Sequence, residues 1–136
     1  MYLFDTDAIT NIFKKKPSQK LVKNISNLKK KDQFISTVTI AEIVYGAFRS
    51  RNPNHHLENL RNVLLPAINV LPFDSQSAFI YGKVRAGLEG KGEIISHIDI
   101  QIASIALAND LILITGNIKH FSRISELRIE DWINSS

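Results

Sequence analysis

Short apolar runs alternate with stretches of helical periodicity along the chain. The runs at 2–4 and 111–115 have the size of buried strands, whereas helical spacing separates Leu21, Ile25 and Leu28. The pattern predicts strands at 2–4, 33–36, 68–71, 111–115 and 128–132, the last at a sheet edge. It predicts helices at 6–15, 19–30, 39–50, 55–65, 75–89 and 97–109, and a loop or short turn at 117–122.

Prolines, glycines and small polar residues mark the ends of these elements. Pro17 and Pro66 end two helices, and Gly90-Lys91-Gly92 forms a flexible turn. Helix N-caps are predicted at Ser18, Asp74 and Ser96. Strands that alternate with helices favour a parallel α/β sheet with helices on both faces. In such sheets ligands bind beyond the carboxyl ends of the strands.

Composition limits the class of protein. The chain has 136 residues and 44% hydrophobic content, which predicts one globular domain with its own core. No apolar run approaches the roughly 20 residues of a membrane span, and no secretory signal is expected at the start. There are no cysteines, which excludes disulfides and thiolate metal sites. We therefore expect a cytoplasmic protein.

Basic residues cluster although the net charge is only +4. Two lysine runs lie at 14–16 and 29–31, and a looser group comprises Arg49, Arg51 and Arg61. Each run is typical of solvated helix ends and loops. A second interpretation is attraction of phosphate groups to the surface around an acidic pocket. Together, acids at junctions and bases elsewhere indicate an enzyme that binds a polyanion and cleaves it with a metal.

Acidic residues stand at strand-to-helix or loop-to-helix junctions. Asp5 ends the first apolar run, Asp7 follows it, Glu42 comes after the second strand, and Asp99 opens a late helix. In a parallel sheet these junctions share one edge, so several carboxylates would meet there. Burying like charges together raises their pKa values unless a cation neutralises them. Mg²⁺ or Mn²⁺ prefers such oxygen ligands, which predicts metal-assisted phosphoryl chemistry.

Helix capping is the alternative explanation for two of these acids. Glu42 fits a capping box that begins at Thr39, and Asp99 fits one more loosely. Asp5 has no capping partner before it, and Asp7 is a possible N-cap for the helix that follows. Capping therefore explains Asp5 least well, and Asp5 indicates a metal site most strongly. The four histidines are interpreted as structural or solvent-facing, and His120 is the alternative candidate for a residue that faces the site.

Motifs in a fixed order resemble those of the PIN-domain ribonucleases, specifically the VapC toxins of type II toxin–antitoxin pairs. The resemblance covers nearly the whole chain, with YLFDTD at 2–7, STVTIAEIVYGA at 36–47, LPFD at 71–74, YGKVR at 81–85, SHIDIQIA at 96–103, LITGN at 113–117 and EDW at 130–132. It implies a three-layer α/β/α fold with a central, mostly parallel sheet. Two positions depart from the pattern: Asp7 stands where Asn is usual, and Asn117 where many members carry a fourth acid.

The resemblance also implies a mechanism and roles for residues. Asp5, Glu42 and Asp99 are the expected metal-site acids of a Mg²⁺-dependent endoribonuclease, with Mn²⁺ as a possible substitute. Asp5 and Asp99 would bind the ion that activates water, and Glu42 would bind a second ion or orient that water. Supporting roles are expected for Thr6, Asp7, Thr115 and Asn117. Arg85 would contact RNA phosphate or pair with an acid on its own helix.

The implied partners are an RNA substrate, a VapB-like antitoxin and a second copy of the chain in a homodimer. The helix that carries Ile40, Val44, Ala47 and Phe48 would line the antitoxin groove or the core.

Two other functions remain open from the sequence. The first is a haloacid-dehalogenase-like phosphatase with Asp5 as nucleophile in Asp5-Thr6-Asp7, although Ile9 stands where that family needs Thr or Val. The second is an inactive module that binds RNA or an antitoxin.

Overall fold

Five parallel strands form the centre of the protein in a computed structural model that describes residues 1–134. The spatial order is β3-β2-β1-β4-β5. The strands are β1 (Tyr2–Phe4), β2 (Gln33–Ser36), β3 (Asn69–Leu71), β4 (Ile112–Ile114) and β5 (Ile129–Glu130). All five predicted strands are confirmed, and β5 lies at the predicted edge. Because every pairing is parallel, all carboxyl ends lie on one side of the sheet.

The helices lie close to their predicted positions. They are α1 (Thr6–Ile12), α2 (Gln19–Ser26), α3 (Thr37–Arg49), α4 (Pro53–Glu58), α5 (Ser75–Gly90), α6 (His97–Ala108) and α7 (Ile118–Phe121). The predicted N-caps are confirmed, since the side chains of Ser18, Asp74 and Ser96 each accept a backbone N–H. No helix within residues 1–134 is long and apolar enough to cross a membrane.

Several helix boundaries differ from prediction. The first helix stops at Ile12, earlier than expected, and the helix predicted at 19–30 ends at Ser26. The helix predicted at 55–65 begins at Pro53 as α4 and continues as a π-helical turn, Asn59–Leu64. Proline is favoured in the first turn because it lacks the N–H that would be unsatisfied there.

Apolar side chains pack in two clusters on opposite faces of the sheet. Leu3 and Leu113 point into a cluster with α5 and α6, while the next residues, Phe4 and Ile114, point into a cluster with α1 and α2. This alternation follows from the two-residue period of a strand. Both faces are covered by helices, which confirms the three-layer α/β/α arrangement.

The end of the described chain packs against the first strand. Trp132 is 4% exposed, and its ring lies 5.0 Å from the ring of Tyr2 and 6.0 Å from that of Phe4, centroid to centroid. Its carbonyl accepts a hydrogen bond of 2.7 Å from the Ser18 hydroxyl. The tryptophan therefore supports β1, the strand that leads directly into Asp5.

Candidate active site

Asp5 lies at the carboxyl end of the central strand and is buried, with 6% of its surface exposed. Its backbone N–H donates to the carbonyl of Ile114, which continues the pairing of β1 with β4. One carboxylate oxygen accepts from the Thr6 N–H at 2.8 Å, and the other accepts from the Thr115 hydroxyl, also at 2.8 Å. The carboxylate is therefore held between the first residue of α1 and the residue that follows β4.

Asp7 was the possible N-cap of the first helix, and that prediction was wrong. Asp5, and not Asp7, is the N-cap of α1, because α1 begins directly after the strand and its first N–H reaches the Asp5 carboxylate. The capping hydrogen bond satisfies one carboxylate oxygen of Asp5 but does not remove the negative charge of that carboxylate. The cap therefore explains the orientation of Asp5 and leaves the burial of its charge unexplained.

Asp7 is the second acid of the cluster. Its carboxylate accepts from the Gly116 N–H at 2.9 Å, and the Thr115 hydroxyl lies 3.4 Å away. Gly116 allows this close approach, since an added Cβ would lie 3.1 Å from the Asp7 carboxylate and 2.8 Å from the side chain of Asn134. The loop after β4 thus holds Asp7 against Asp5.

Burial and the neighbouring Asp7 carboxylate raise the pKa of Asp5 from its ordinary value of 3.8 to about 7. The negative charge of Asp99 contributes a further, smaller increase. Burial also raises the pKa of Asp7, although the Gly116 N–H opposes this. The site therefore concentrates more negative charge than its own hydrogen bonds neutralise.

Glu42 joins the site through Thr6, whose hydroxyl donates to the Glu42 carboxylate at 2.5 Å. Since the Thr6 N–H bonds to Asp5, this one residue links the two acids. The capping box predicted for Glu42 is wrong: the N-cap of α3 is Ser36, so Glu42 lies beyond the first turn. Its position near Asp5 therefore needs an explanation other than capping.

Asp99 approaches the site from the start of α6. Its N–H donates to Ser96, so half of the predicted capping box is present. One carboxylate oxygen lies 3.7 Å from Nδ1 of His120, and the same nitrogen lies 3.0 Å from the side-chain nitrogen of Asn117. Asn117 therefore completes this side of the site together with a histidine.

His120 is the residue that the sequence interpretation undervalued. It lies three residues after Asn117, on α7, and residues at this spacing share one face of a helix. That spacing was the available signal, but it required knowing that 118–121 is helical. His55, His56 and His97 are exposed, as predicted, and His97 contacts the hydroxyl of Tyr81 at 3.1 Å.

In this structure Arg85 pairs with an acid on its own helix, which is the second of its two expected roles. Its guanidinium lies 3.3 Å from the Glu89 carboxylate, one turn further along α5, and also donates to the Tyr81 hydroxyl. Contact of Arg85 with RNA stays a prediction.

The donor set fits a hard divalent cation. The available ligands are carboxylate oxygens. The raised pKa of Asp5 indicates negative charge that a cation would neutralise. Within residues 1–134, however, no three His, Cys, Asp or Glu side chains are grouped tightly enough to enclose an ion. This arrangement suits an ion held by one or two carboxylates and completed by water, as Mg²⁺ commonly is.

The raised pKa of Asp5 predicts the pH dependence of stability in the metal-free protein. Between pH 3.8 and about 7 the native state binds more protons than the unfolded chain, so stability falls as pH rises. We expect a loss of about 2–3 kcal/mol between about pH 5 and pH 7.5, or roughly 10 °C in melting temperature. Thermal unfolding in EDTA measures this loss.

The variant Asp5→Asn is the control for this dependence, because it keeps the cap and removes the titrating group. Its melting temperature should vary much less over the same pH range. An equally steep decrease in that variant would assign the pH dependence to other groups.

Comparisons with known proteins agree with the fold. The PIN domain family model matches residues 2–127. Ribonuclease VapC2 of Rickettsia felis is 34% identical over 133 residues, covering 97% of this chain and 98% of that protein. The tRNA(fMet)-specific endonuclease VapC of Salmonella typhimurium is 33% identical over 131 residues, covering 96% and 97%.

Solved structures show the same relationship. VapBC2 from Rickettsia felis, bound to a DNA fragment from its promoter, matches with a TM-score of 0.88 and 33% identity, covering 96% of this chain and 98% of that chain. FitAcB from Neisseria gonorrhoeae matches with a TM-score of 0.89 and 27% identity, covering 97% and 98%. The chain belongs to the PIN-domain family and, within it, to the VapC proteins. This membership contradicts the phosphatase alternative.

Proposed function

We propose that the protein is an endoribonuclease that acts as the toxin of a toxin–antitoxin pair. The observation that carries the proposal is the buried Asp5 carboxylate, linked through Thr6 to Glu42 and lying near Asp99, in a chain whose relatives are named ribonucleases. The reaction is hydrolysis of a phosphodiester bond in RNA that leaves a 5′-phosphate and a 3′-hydroxyl.

The proposed cofactor is Mg²⁺, with Mn²⁺ as a substitute. Asp5 and Asp99 would hold the ion, and Glu42 would assist. When bound, the ion supplies a water of lowered pKa and stabilises charge on the phosphate oxygens. Metal-dependent chemistry is the general property of the family, and the choice of Mg²⁺ rests on the oxygen donors of this site.

The residues of the chain orient the acids. Thr115 fixes one carboxylate oxygen of Asp5. Thr6 fixes the other oxygen of Asp5 and also the carboxylate of Glu42, so both carboxylates keep their orientation while substrate enters. Thr115 is itself held by the Asn117 N–H at 3.0 Å. Such preorganisation lets charged groups act without reorganising during the reaction.

The proposed partners follow from the relatives. Several solved relatives are VapBC complexes, which supports a VapB-like antitoxin for this chain. A homodimer, a cytoplasmic location and contact of Arg85 with RNA are part of the same proposal. The name of the Salmonella relative makes transfer RNA the first substrate to assay.

Purified protein incubated with transfer RNA tests the function. We expect cleavage with Mg²⁺, none with EDTA, recovery on adding excess Mg²⁺, and new 5′-phosphate ends. Asp99→Asn should lose most activity and Glu126→Gln should keep it, because Glu126 is exposed and outside the site.

The remaining alternative is a module that binds RNA without cleaving it. Binding of RNA that persists in EDTA, together with an absence of cleavage, would establish that alternative. Cleavage that is unchanged by Asp99→Asn would instead contradict the proposed role of Asp99. Sequencing of new RNA 5′ ends after induced expression, compared with Asp5→Ala, would identify the cellular target.

A further inference from the structure

A groove opens between α3 and α6 beside the acidic site. Val38, Ala41, Glu42 and Tyr45 line it from α3, and Ile98 and Gln101 line it from α6, around a volume of about 510 Å³. We propose that this α3–α6 groove binds the nucleobase next to the scissile phosphate, with Tyr45 as the stacking surface. The inference rests on the proposed ribonuclease function and specifies how the substrate is held.

The groove is continuous with the candidate active site. Glu42 belongs to both, since its carboxylate bonds to Thr6 and its side chain also lines the groove. Ile98 and Gln101 flank Asp99 in the first turns of α6. A phosphate held at Asp5 and Asp99 would therefore place a neighbouring nucleoside at the mouth of this groove.

Tyr45 has the properties of a stacking residue. It is 64% exposed, which leaves much of a large aromatic ring without protein contacts. The guanidinium of Arg49 lies 5.5 Å from the ring centroid and donates to the Tyr45 hydroxyl at 3.3 Å. Arg49 thus fixes the ring and adds a positive charge where an RNA backbone would pass. Aromatic rings beside basic groups are the usual platform for unpaired bases.

The rest of the lining fits a base as well. Ile98 is 40% exposed and provides an apolar wall opposite Tyr45. Gln101 carries both a donor and an acceptor, which suits the edge of a base. An apolar slot with one amide and a cationic rim matches a nucleobase attached to phosphate, whereas the adjoining Glu42 would disfavour a purely apolar occupant.

The chain supplies a matched control in Phe48, three residues further along α3. Phe48 is 66% exposed, nearly the same as Tyr45, but does not line the groove. Substituting either residue removes an exposed aromatic ring from the same helix. Only the Tyr45 substitution changes the groove.

The experiment uses an RNA with 2-aminopurine beside the cleavage site and the purified full-length chain. Binding should quench the probe, and Tyr45→Ala should abolish the quenching and raise Kd and KM by about 10- to 100-fold, with a smaller effect on kcat. Tyr45→Phe should retain quenching and affinity, because it keeps the ring face. Phe48→Ala should match the wild type.

Three results would overturn the inference. The first is unchanged quenching and KM in Tyr45→Ala, and the second is an equal loss of quenching and affinity in Phe48→Ala. The third is a change of Tyr45→Ala from dimer to monomer in sedimentation while quenching is retained. That third result would assign the groove to a second copy of the chain. A wild-type protein that neither binds nor cleaves RNA would instead refute the proposed function. Cleavage by the wild type with no effect of Tyr45→Ala would refute the groove alone.

Discussion

Asp5→Asn is expected to lower RNA cleavage by about a thousandfold or more while the protein stays folded. The substitution keeps a side-chain oxygen for the Thr6 N–H, and Asn is a good N-cap, so α1 should still begin at the same residue. It removes the charge that would hold the cation. A thousandfold loss corresponds to about 4 kcal/mol of transition-state stabilisation, which is reasonable for losing a metal ligand.

Stability separates this loss from simple unfolding. Because burial raises the pKa of Asp5 to about 7, the uncharged variant should be at least as stable as the wild type in EDTA at about pH 8. Cleavage rates and melting temperatures should therefore change in opposite directions. The control is Glu58→Gln, an exposed substitution on α4 that should alter neither quantity.

Retention of full cleavage in Asp5→Asn would contradict the assignment of Asp5 as the main metal ligand. A lower melting temperature in EDTA together with lost activity would mean that the charged Asp5 carboxylate stabilises the fold, and that the loss of activity is structural.

Trp132→Ala is expected to produce the largest loss of stability, about 3–5 kcal/mol. The ring is 4% exposed and contacts Tyr2 and Phe4, so its removal opens a cavity next to β1. Its Nε1 also donates to Glu130 at 3.0 Å, a bond that the variant loses. Urea or thermal unfolding measures the change, and the melting temperature should fall by more than about 10 °C.

Trp132→Phe is the matched control, since it keeps an aromatic ring in the cavity and loses only the indole N–H and some volume. It should lose less than half as much stability as Trp132→Ala. Similar losses in both variants would show that the hydrogen bond to Glu130, rather than ring packing, stabilises the chain end.

Much of the fold could be predicted because its elements are short and their local signals agree. The strand Gln33–Ser36 was predicted to the residue, and the caps at Ser18, Asp74 and Ser96 were confirmed. The start of α3 was predicted too late. Thr37 and Val38 are β-branched residues that favour strands, but the Ser36 hydroxyl accepts the Thr39 N–H and starts the helix earlier.

The site was predicted in part. The acids were identifiable because each follows a strand or opens a helix, and parallel strands bring those points to one edge. The hydrogen bond from Thr115 to Asp5 spans 110 positions of sequence, and no local pattern specifies such a contact. For the same reason the role of Asp5 as cap was missed, and the sequence allowed His120 to face the site without specifying its contact with Asp99.

The burial of the apolar residues on α3 was likewise predictable only in part. Its apolar residues were assigned to either an antitoxin groove or the core. In the structure Ala47 is buried and Ile40 and Val44 pack against the core, whereas Phe48 is exposed. Helical periodicity placed these residues near one another, but only the packing of neighbouring elements decided which ones are covered.

The sequence by itself determined the order of strands and helices, the four acids at their junctions and the resemblance to the PIN domain. Those features depend on residue spacing, which the chain carries locally. Only the tertiary structure decided that Asp5 is buried against Asp7, that Thr6 links it to Glu42, and that Tyr45 lines a groove together with Glu42. Burial, charge proximity and exposure depend on residues far apart in the chain, so they exist only once it has folded.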